Sequence, residues 1–237
     1  MTKRTWIAAL ACACLPALPA LALARVATVP RPTAAYLLGP RMIKAEIAVK
    51  TPDRVLHDYR IDRGRLTKRY GTGALTLVER AGTKNAIKVA PSARVLLNGK
   101  QSNLRALRAG MQVAVSRDGD LPGDSVYASA KSTPTIPHAT VSFLLGARML
   151  RAEIALKSAD NVLHDFLLDH GRIRQVNGAT LVLREADGNV VTIGTSPFAR
   201  VKLNGKSASY AQLRRGMMAT AMRDGDKPAD QIWATGK

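Results

Sequence analysis

From Met42 to Lys50 the apolar residues fall on every second position: Ile43, Ala45, Ile47 and Val49 alternate with Lys44, Glu46 and Lys50. A period of two is what a strand with one buried face requires. Thr51-Pro-Asp-Arg54 interrupts the pattern as a turn, and Val55 to Asp62 reads as the returning strand. Further short strands are expected at about Arg65–Lys68, Leu75–Glu79, Ala86–Val89 and Val95–Leu97, parted by Gly71-Thr-Gly73, Ala81-Gly82 and the hairpin signal Asn98-Gly99. Asn103 and Ser209 are N-cap candidates for a single helical turn closed by Gly110 and Gly216. Two last strands, Met111–Ser116 and Ser125–Lys131, flank an Asp/Gly/Pro turn.

The whole pattern then returns. Tyr36-Leu-Leu-Gly-Pro-Arg-Met-Ile-Lys-Ala-Glu-Ile-Ala-Val-Lys50 recurs as Phe143-Leu-Leu-Gly-Ala-Arg-Met-Leu-Arg-Ala-Glu-Ile-Ala-Leu-Lys157. Val55-Leu-His-Asp-Tyr59 recurs as Val162-Leu-His-Asp-Phe166, and Arg117-Asp-Gly-Asp120 as Arg223-Asp-Gly-Asp226. A repeat of this length implies two copies of one supersecondary unit. The expected fold is all-β: two similar small β-barrel (OB-like) domains, each with about seven short strands and one helical turn. The boundaries are a signal peptide over 1–24, a lead-in linker over 25–35, repeat 1 over 36–131, a Pro-rich linker over 132–142 and repeat 2 over 143–237. Both linkers read as stiff and extended because of their prolines.

The first residues bear on compartment. Lys3 and Arg4 precede an apolar run from Trp6 to about Leu18, and Ala22-Leu-Ala24 fits a small-x-small site with cleavage before Arg25. The expected location is secreted or extracytoplasmic, in periplasm or cell wall. Both cysteines, Cys12 and Cys14, fall inside the removed segment, so the mature chain has no thiol for a disulfide, a zinc site or a nucleophile. It keeps 34 basic residues against 17 acidic ones. Such a balance attracts polyanions and says nothing about fold.

The run Gly64-Arg-Leu, Leu75-Thr-Leu, Asn98-Gly-Lys and Leu107-Arg-Ala-Gly-Met111, matched by Gly171-Arg-Ile, Leu181-Val-Leu, Asn204-Gly-Lys and Leu213-Arg-Arg-Gly-Met217, resembles small secreted bacterial β-barrel domains of unknown function. The resemblance implies a barrel architecture and export, and it brings no catalytic residues.

Candidate chemistry is sparse. His57-Asp58 and His164-Asp165 recur, but neighbours on a strand point to opposite faces. His57 shares its side with Val55, Tyr59 and Ile61 and reads as a core or core-edge residue, and no Ser-His-Asp order is visible. Asp62-Arg-Gly64 and Asp169-His-Gly171 read as bulges or tight turns with positive φ at glycine. Asp118, Asp120 and Asp124, with Asp224, Asp226 and Asp230, crowd three carboxylates into each loop and form a calcium alternative, although the full twelve-residue ligand pattern is missing. No cofactor is expected.

The recurring basic positions are the candidate polyanion-binding residues: Arg41, Lys50, Arg65, Arg94, Lys100, Arg108, Arg148, Lys157, Arg172, Arg200, Lys206 and Arg214. Tyr36/Phe143, Tyr59/Phe166 and Tyr127/Trp233 sit on apolar faces and read as core, leaving Tyr70, Phe198 and Tyr210. With no evident stacking platform, nucleic acid is not expected as a partner. The expectation is an exported, non-catalytic module that associates with an anionic envelope or extracellular polymer. The alternative is an assembly protein that meets a protein partner through sheet edges. Membrane contact is expected to be peripheral at most.

Overall fold

The alternation in Met42–Lys50 does become a strand, β1, and its buried side sets the centre of the molecule. The structure, a computed structural model, describes residues 28–71 and 73–236. Residues 1–24, expected from the sequence to be a signal peptide, lie outside the described residues with Cys12 and Cys14, as does the start of the lead-in. The first half runs α1 (Arg31–Leu37), β1 (Met42–Lys50), β2 (Leu56–Tyr70), β3 (Ala74–Val78), β4 (Lys84–Leu97), β5 (Lys100–Ser102), a 3-10 turn (Leu104–Ala106), β6 (Gln112–Asp118) and β7 (Gly123–Ser129). The second half runs α2 (His138–Leu144), β8 (Met149–Lys157), β9 (Leu163–Asn177), β10 (Thr180–Arg184), β11 (Val190–Leu203), β12 (Lys206–Ala208), a 3-10 turn (Tyr210–Gln212), β13 (Met218–Asp224) and β14 (Ala229–Thr235).

In the first half β2 pairs with β3, β3 with β4, β4 with β7, β7 with β6 and β6 back onto β2, which closes a five-stranded barrel. All pairs are antiparallel except β4–β7. The same five pairings, with β11–β14 the parallel one, run through the second half. Inward side chains such as Leu66, Leu75, Leu77, Val113 and Val126 fill the first ring. Leu181, Leu183, Ile193, Ala219 and Ile232 fill the second.

The rings do not stand apart. Strand β1 pairs antiparallel with β2 on one side and with β8 on the other, and β8 continues to β9, so one 14-stranded sheet passes through both halves. Ile47 and Val49 from β1, Ile154 and Leu156 from β8, and Leu37, Leu38, Leu144 and Leu145 around the two helices form a third core shared by the halves. Each fully buried aliphatic side chain there contributes about 1.5–3 kcal/mol. The halves are joined by a core, not merely by a tether.

Several expectations change. Residues 31–35 of the lead-in and 138–142 of the Pro-rich linker are helical rather than extended. Proline is compatible with the first helical turn, where its missing N–H has no partner to lose, and Pro30, Pro32 and Pro137 all stand at such starts. The two strands expected around Pro91 are one, β4, because Pro91 falls where the register skips from Val89↔Gly123 to Arg94↔Ser125. The expected bulge at Asp62-Arg-Gly64 is absent: β2 runs through it, and neither Gly64 nor Gly171 has positive φ. Those glycines are required by close approach instead, since a Cβ on either would lie 2.5 Å from the carbonyl oxygen of Val78 or Arg184. Tyr36 and Phe143, expected in the core, are 45% and 38% exposed because they project from the outer side of α1 and α2.

Candidate functional site

The charges are sorted by place. Residues 80–117 and 188–223, which hold β4, β5 and most of β6 in the first half and β11, β12 and most of β13 in the second, contain many lysines and arginines and not one Asp or Glu. The carboxylates gather instead on the polar face of the central sheet and in the loops at its rim. There Arg117 meets Asp62 at 3.3 Å and Arg223 meets Asp169 at 2.5 Å. Arg60 reaches Glu46, Asp58 and Asp120 at 3.8, 3.4 and 2.8 Å, and Arg151 reaches Glu185 and Asp187 at 2.5 and 2.9 Å. Burial pushes the Glu185 carboxyl up, against the pull of Arg151.

None of the twelve recurring basic residues takes part in an ion pair among the described residues. Arg65, Arg94, Lys100, Arg108, Arg148, Arg172, Arg200, Lys206 and Arg214 are exposed, while Arg41, Lys50 and Lys157 are half-buried. Four fall at the β1–β8 seam as two pairs, one at each end of it: the Lys50 amide donates to the Arg148 carbonyl, and the Lys157 amide to that of Arg41. Lys50 Nζ also donates to the Ala186 carbonyl at 2.9 Å. Arg108 and Arg214 fold back onto the carbonyls of their 3-10 turns, at 3.3 Å from Leu107 and 3.0 Å from Leu213, and keep their charge uncompensated. The rest are distributed over the two barrels, with Arg94 and Lys100 on β4 and β5 and Arg200 and Lys206 on β11 and β12.

The densest array includes cations that the sequence reading passed over. On the outside of the first barrel, register places Arg65, Val78 and Lys84 in one cross-strand row, Lys68, Thr76 and Ala86 in the next, and Tyr70, Ala74 and Lys88 in a third. The three lysines, Arg65 and Tyr70 are exposed, and Lys68 Nζ stands 4.5 Å from the centroid of the Tyr70 ring. Cross-strand neighbours on one face lie close enough to act on a single ligand. Lys68, Lys84 and Lys88 have no basic counterpart in the second half, so recurrence does not mark them, yet the alternation of Ile87 and Val89 with Ala86 and Lys88 puts Lys84 and Lys88 on the outer face. Tyr70 and Phe198, at 50% and 90% exposure, also withdraw the argument that no aromatic is free to stack.

The histidines do find acids, though not their sequence neighbours. His57 Nδ1 lies 2.6 Å from Asp118 Oδ2, across from β2 to the end of β6, and Asp118 Oδ1 accepts from the Asp58 amide at 3.1 Å. His57 is half-buried, at the edge of the core, and its ring stacks on Tyr59 at 5.6 Å. In the second half His164 Nδ1 lies 3.0 Å from Asp224 Oδ2 and Nε2 lies 3.2 Å from Ser158 Oγ, a Ser-His-Asp contact order in space that the sequence reading did not see. Ser158 Oγ also contacts Asp160 and the Val162 carbonyl within its own turn, so the hydroxyl serves that turn as well as the ring. Thr51 stands at the matching place and donates to the Val55 carbonyl at 3.0 Å. Aromatic contacts then cross between halves, Tyr59 to Phe143 at 5.6 Å and Tyr36 to Phe166 at 6.4 Å.

The loop carboxylates of the calcium alternative do not converge. Asp118 faces His57, Asp120 faces Arg60 at 2.8 Å, and Asp224 faces His164 and Lys227. Among the described residues no group of three or more His, Cys, Asp or Glu side chains could hold a metal ion. No family model, no curated protein and no solved structure matches the chain.

Proposed function

We propose that the protein is an exported, non-catalytic binding module that holds an anionic envelope or extracellular polymer on the outer strands of two linked, OB-like barrels that arose by duplication. The observation that carries this reading is the segregation of charge: the acid-free runs carry cations such as Lys84, Lys88, Arg94 and Arg200 that have no ion-pair partner among the described residues, while Glu46, Asp58, Asp62, Asp169, Glu185 and Asp187 are ion-paired on the central sheet and at its rim. The pairing order β2-β3-β4-β7-β6 with one parallel pair is the order of an OB barrel, a fold that binds oligosaccharides and oligonucleotides on the outer face of its second and third strands. Here those strands are β3 and β4, where Lys84 and Lys88 stand. The second barrel has Val190 and Gly194 at those places but sets Arg174, Arg214 and Arg215 around a groove beside the same strands, and a second basic surface on one chain raises avidity. The sheet-edge alternative has less support, since β1 and β8 are each paired on both sides.

The test is retention on an anionic polysaccharide matrix across a salt series. Elution is expected to move steeply with salt, because binding releases condensed counterions. The Lys68→Gln/Lys84→Val/Lys88→Gly variant, which gives the first barrel the residues of the second, is expected to elute at lower salt with a shallower dependence. Retention indifferent to salt would overturn the reading.

A further inference from the structure

Arg63 is the one arginine of β2 turned toward the inside of the molecule, and it is 4% exposed. Its Nη2 makes a single long contact, 3.5 Å to the Leu38 carbonyl. Nε and Nη1 are buried with no hydrogen-bond partner. A buried guanidinium normally has a carboxylate beside it, since an uncompensated buried charge is strongly unfavourable. None fills that role here: Asp62 points the other way, to Arg117, and Glu79 sits with Asp62, Lys44 and Asn85. Burial alone lowers the Arg63 pKa, to about 10, with no opposing carboxylate.

The second half shows what the fold does when no charge is wanted. His170 occupies the matching place and donates to or accepts from Thr220 Oγ1 at 2.8 Å, and Thr220 is its cross-strand neighbour. The cross-strand neighbour of Arg63 is Ala114, which offers nothing. The first half therefore keeps an unsatisfied charge where a neutral, satisfied pair is accessible to the same fold.

Arg63 lines a cavity of about 450 Å³, together with Arg65, Arg80 and Lys131 and with a single carboxylate, Glu79. Glu79 is itself pushed toward its neutral form by burial. Four cations thus face one acid around a space much larger than one ion. We propose that this cavity is a specific site for a phosphoryl group, with Arg63 as the buried anchor and Arg65, Arg80 and Lys131 closing around the remaining oxygens. Arginine suits the task because its planar fork gives parallel N–H bonds to two oxygens of a tetrahedral anion. The site deepens the polyanion reading, on which it rests only for the source of the phosphoryl group.

The probes are inorganic phosphate and glycerol phosphate, added to the full chain and compared with chloride at equal ionic strength. Both are expected to raise Tm in a saturable way, as any ligand of the folded state does. Acetate is expected to bind at least tenfold more weakly, and equal binding would overturn the phosphoryl assignment. Arg63→Met is expected to melt higher than the parent without phosphate and to lose at least tenfold in phosphate affinity. Should that variant fold poorly, Arg63→His/Ala114→Thr, the pair already used by the second half, takes its place with the same expected loss. Phosphate that stabilises the parent no more than chloride does, or a double variant that binds phosphate as the parent does, would overturn the proposal. Retention on a sulfated, phosphate-free matrix depends on the strand-face lysines and is expected to survive both variants, so failure of that reading and failure of this site are told apart.

Discussion

The two halves close the same ring of pairings, yet their outer and inner linings have parted. On the outer strands of the first barrel stand Lys68, Lys84 and Lys88; the second has Gln175, Val190 and Gly194 at the matching places. Inside, Arg63 with Ala114 is set against His170 with Thr220. The second half retains charge elsewhere, with Arg174, Arg214 and Arg215 around an open groove floored by Val176, Val182 and Val190. Leu75, Leu77 and Leu107 in the first core match Leu181, Leu183 and Leu213 in the second, while the outer lysines and the buried Arg63 have no Lys or Arg counterpart. That difference teaches that one ring of pairings carries two unlike surfaces, so the proposed polyanion and phosphoryl contacts are testable against the second half as an internal control.

The comparison breaks most easily at the centre, where the halves should be equivalent. Ile47 and Ile154 are both fully buried in the shared core. Replacing either by alanine is expected to cost about 2–5 kcal/mol. Because the core belongs to both halves, each variant is expected to shift one common unfolding transition, followed by denaturant titration. A variant that loosens one half and leaves the other at the parent midpoint would show that the barrels are independent after all.

The next effect separates the halves by pH. Burial lowers the His170 pKa from 6.5 to about 4. A base whose pKa is depressed by folding favours the folded state fully above its unfolded value, and that contribution is lost as the pH falls. Stability from this position is thus complete above pH about 6.5 and is lost progressively toward pH 4, with a span of at most about 3 kcal/mol. His170→Gln is expected to flatten the stability–pH curve in that window. The first half has no counterpart, since Arg63 stays charged throughout it. A slope unchanged in His170→Gln would remove the assignment.

What could be read in the sequence follows from which forces are local. The alternation in Met42–Lys50 gave the strand, and Asn98-Gly99 and Asn204-Gly205 gave hairpin turns that hold positive φ at all four residues. The cap at Asn103 was legible too, its Oδ1 accepting from the Ala106 amide at 3.2 Å. The β1–β8 pairing was not, because a strand carries no mark of which edge will cover it, and Pro30, Pro32 and Pro137 read as linker although each can start a helix. At the site, recurrence picked out conserved-looking cations such as Arg65 and passed over Lys84 and Arg63, whose value lies in having no equivalent. His57 and Asp118 are 61 residues apart, and only the closed ring brings them together.

The smallest expected effects lie in those His–Asp contacts, and their inequality sharpens the comparison. His57 and Asp118 are 25% and 30% exposed, and His164 and Asp224 are 25% and 23% exposed, so solvent screens both pairs. Removing either carboxylate is expected to cost no more than about 1 kcal/mol. Asp224→Asn should cost the more of the two. Burial pushes its carboxyl up, but Lys227 at 2.8 Å and His164 more than offset that and hold it below the usual range. Asp118 has the imidazole and one amide, whereas Asp224 also holds a lysine and a ring steadied from behind by Ser158. Ser158→Ala should accordingly reduce the cost of Asp224→Asn, measured in a double-mutant cycle by urea unfolding. If Ser158 instead reacted with a serine-directed phosphonylating reagent and His164→Gln abolished the reaction, the contact would be a nucleophile and its base rather than a tie between two turns, and the second half would hold a chemistry that Thr51 and His57 do not.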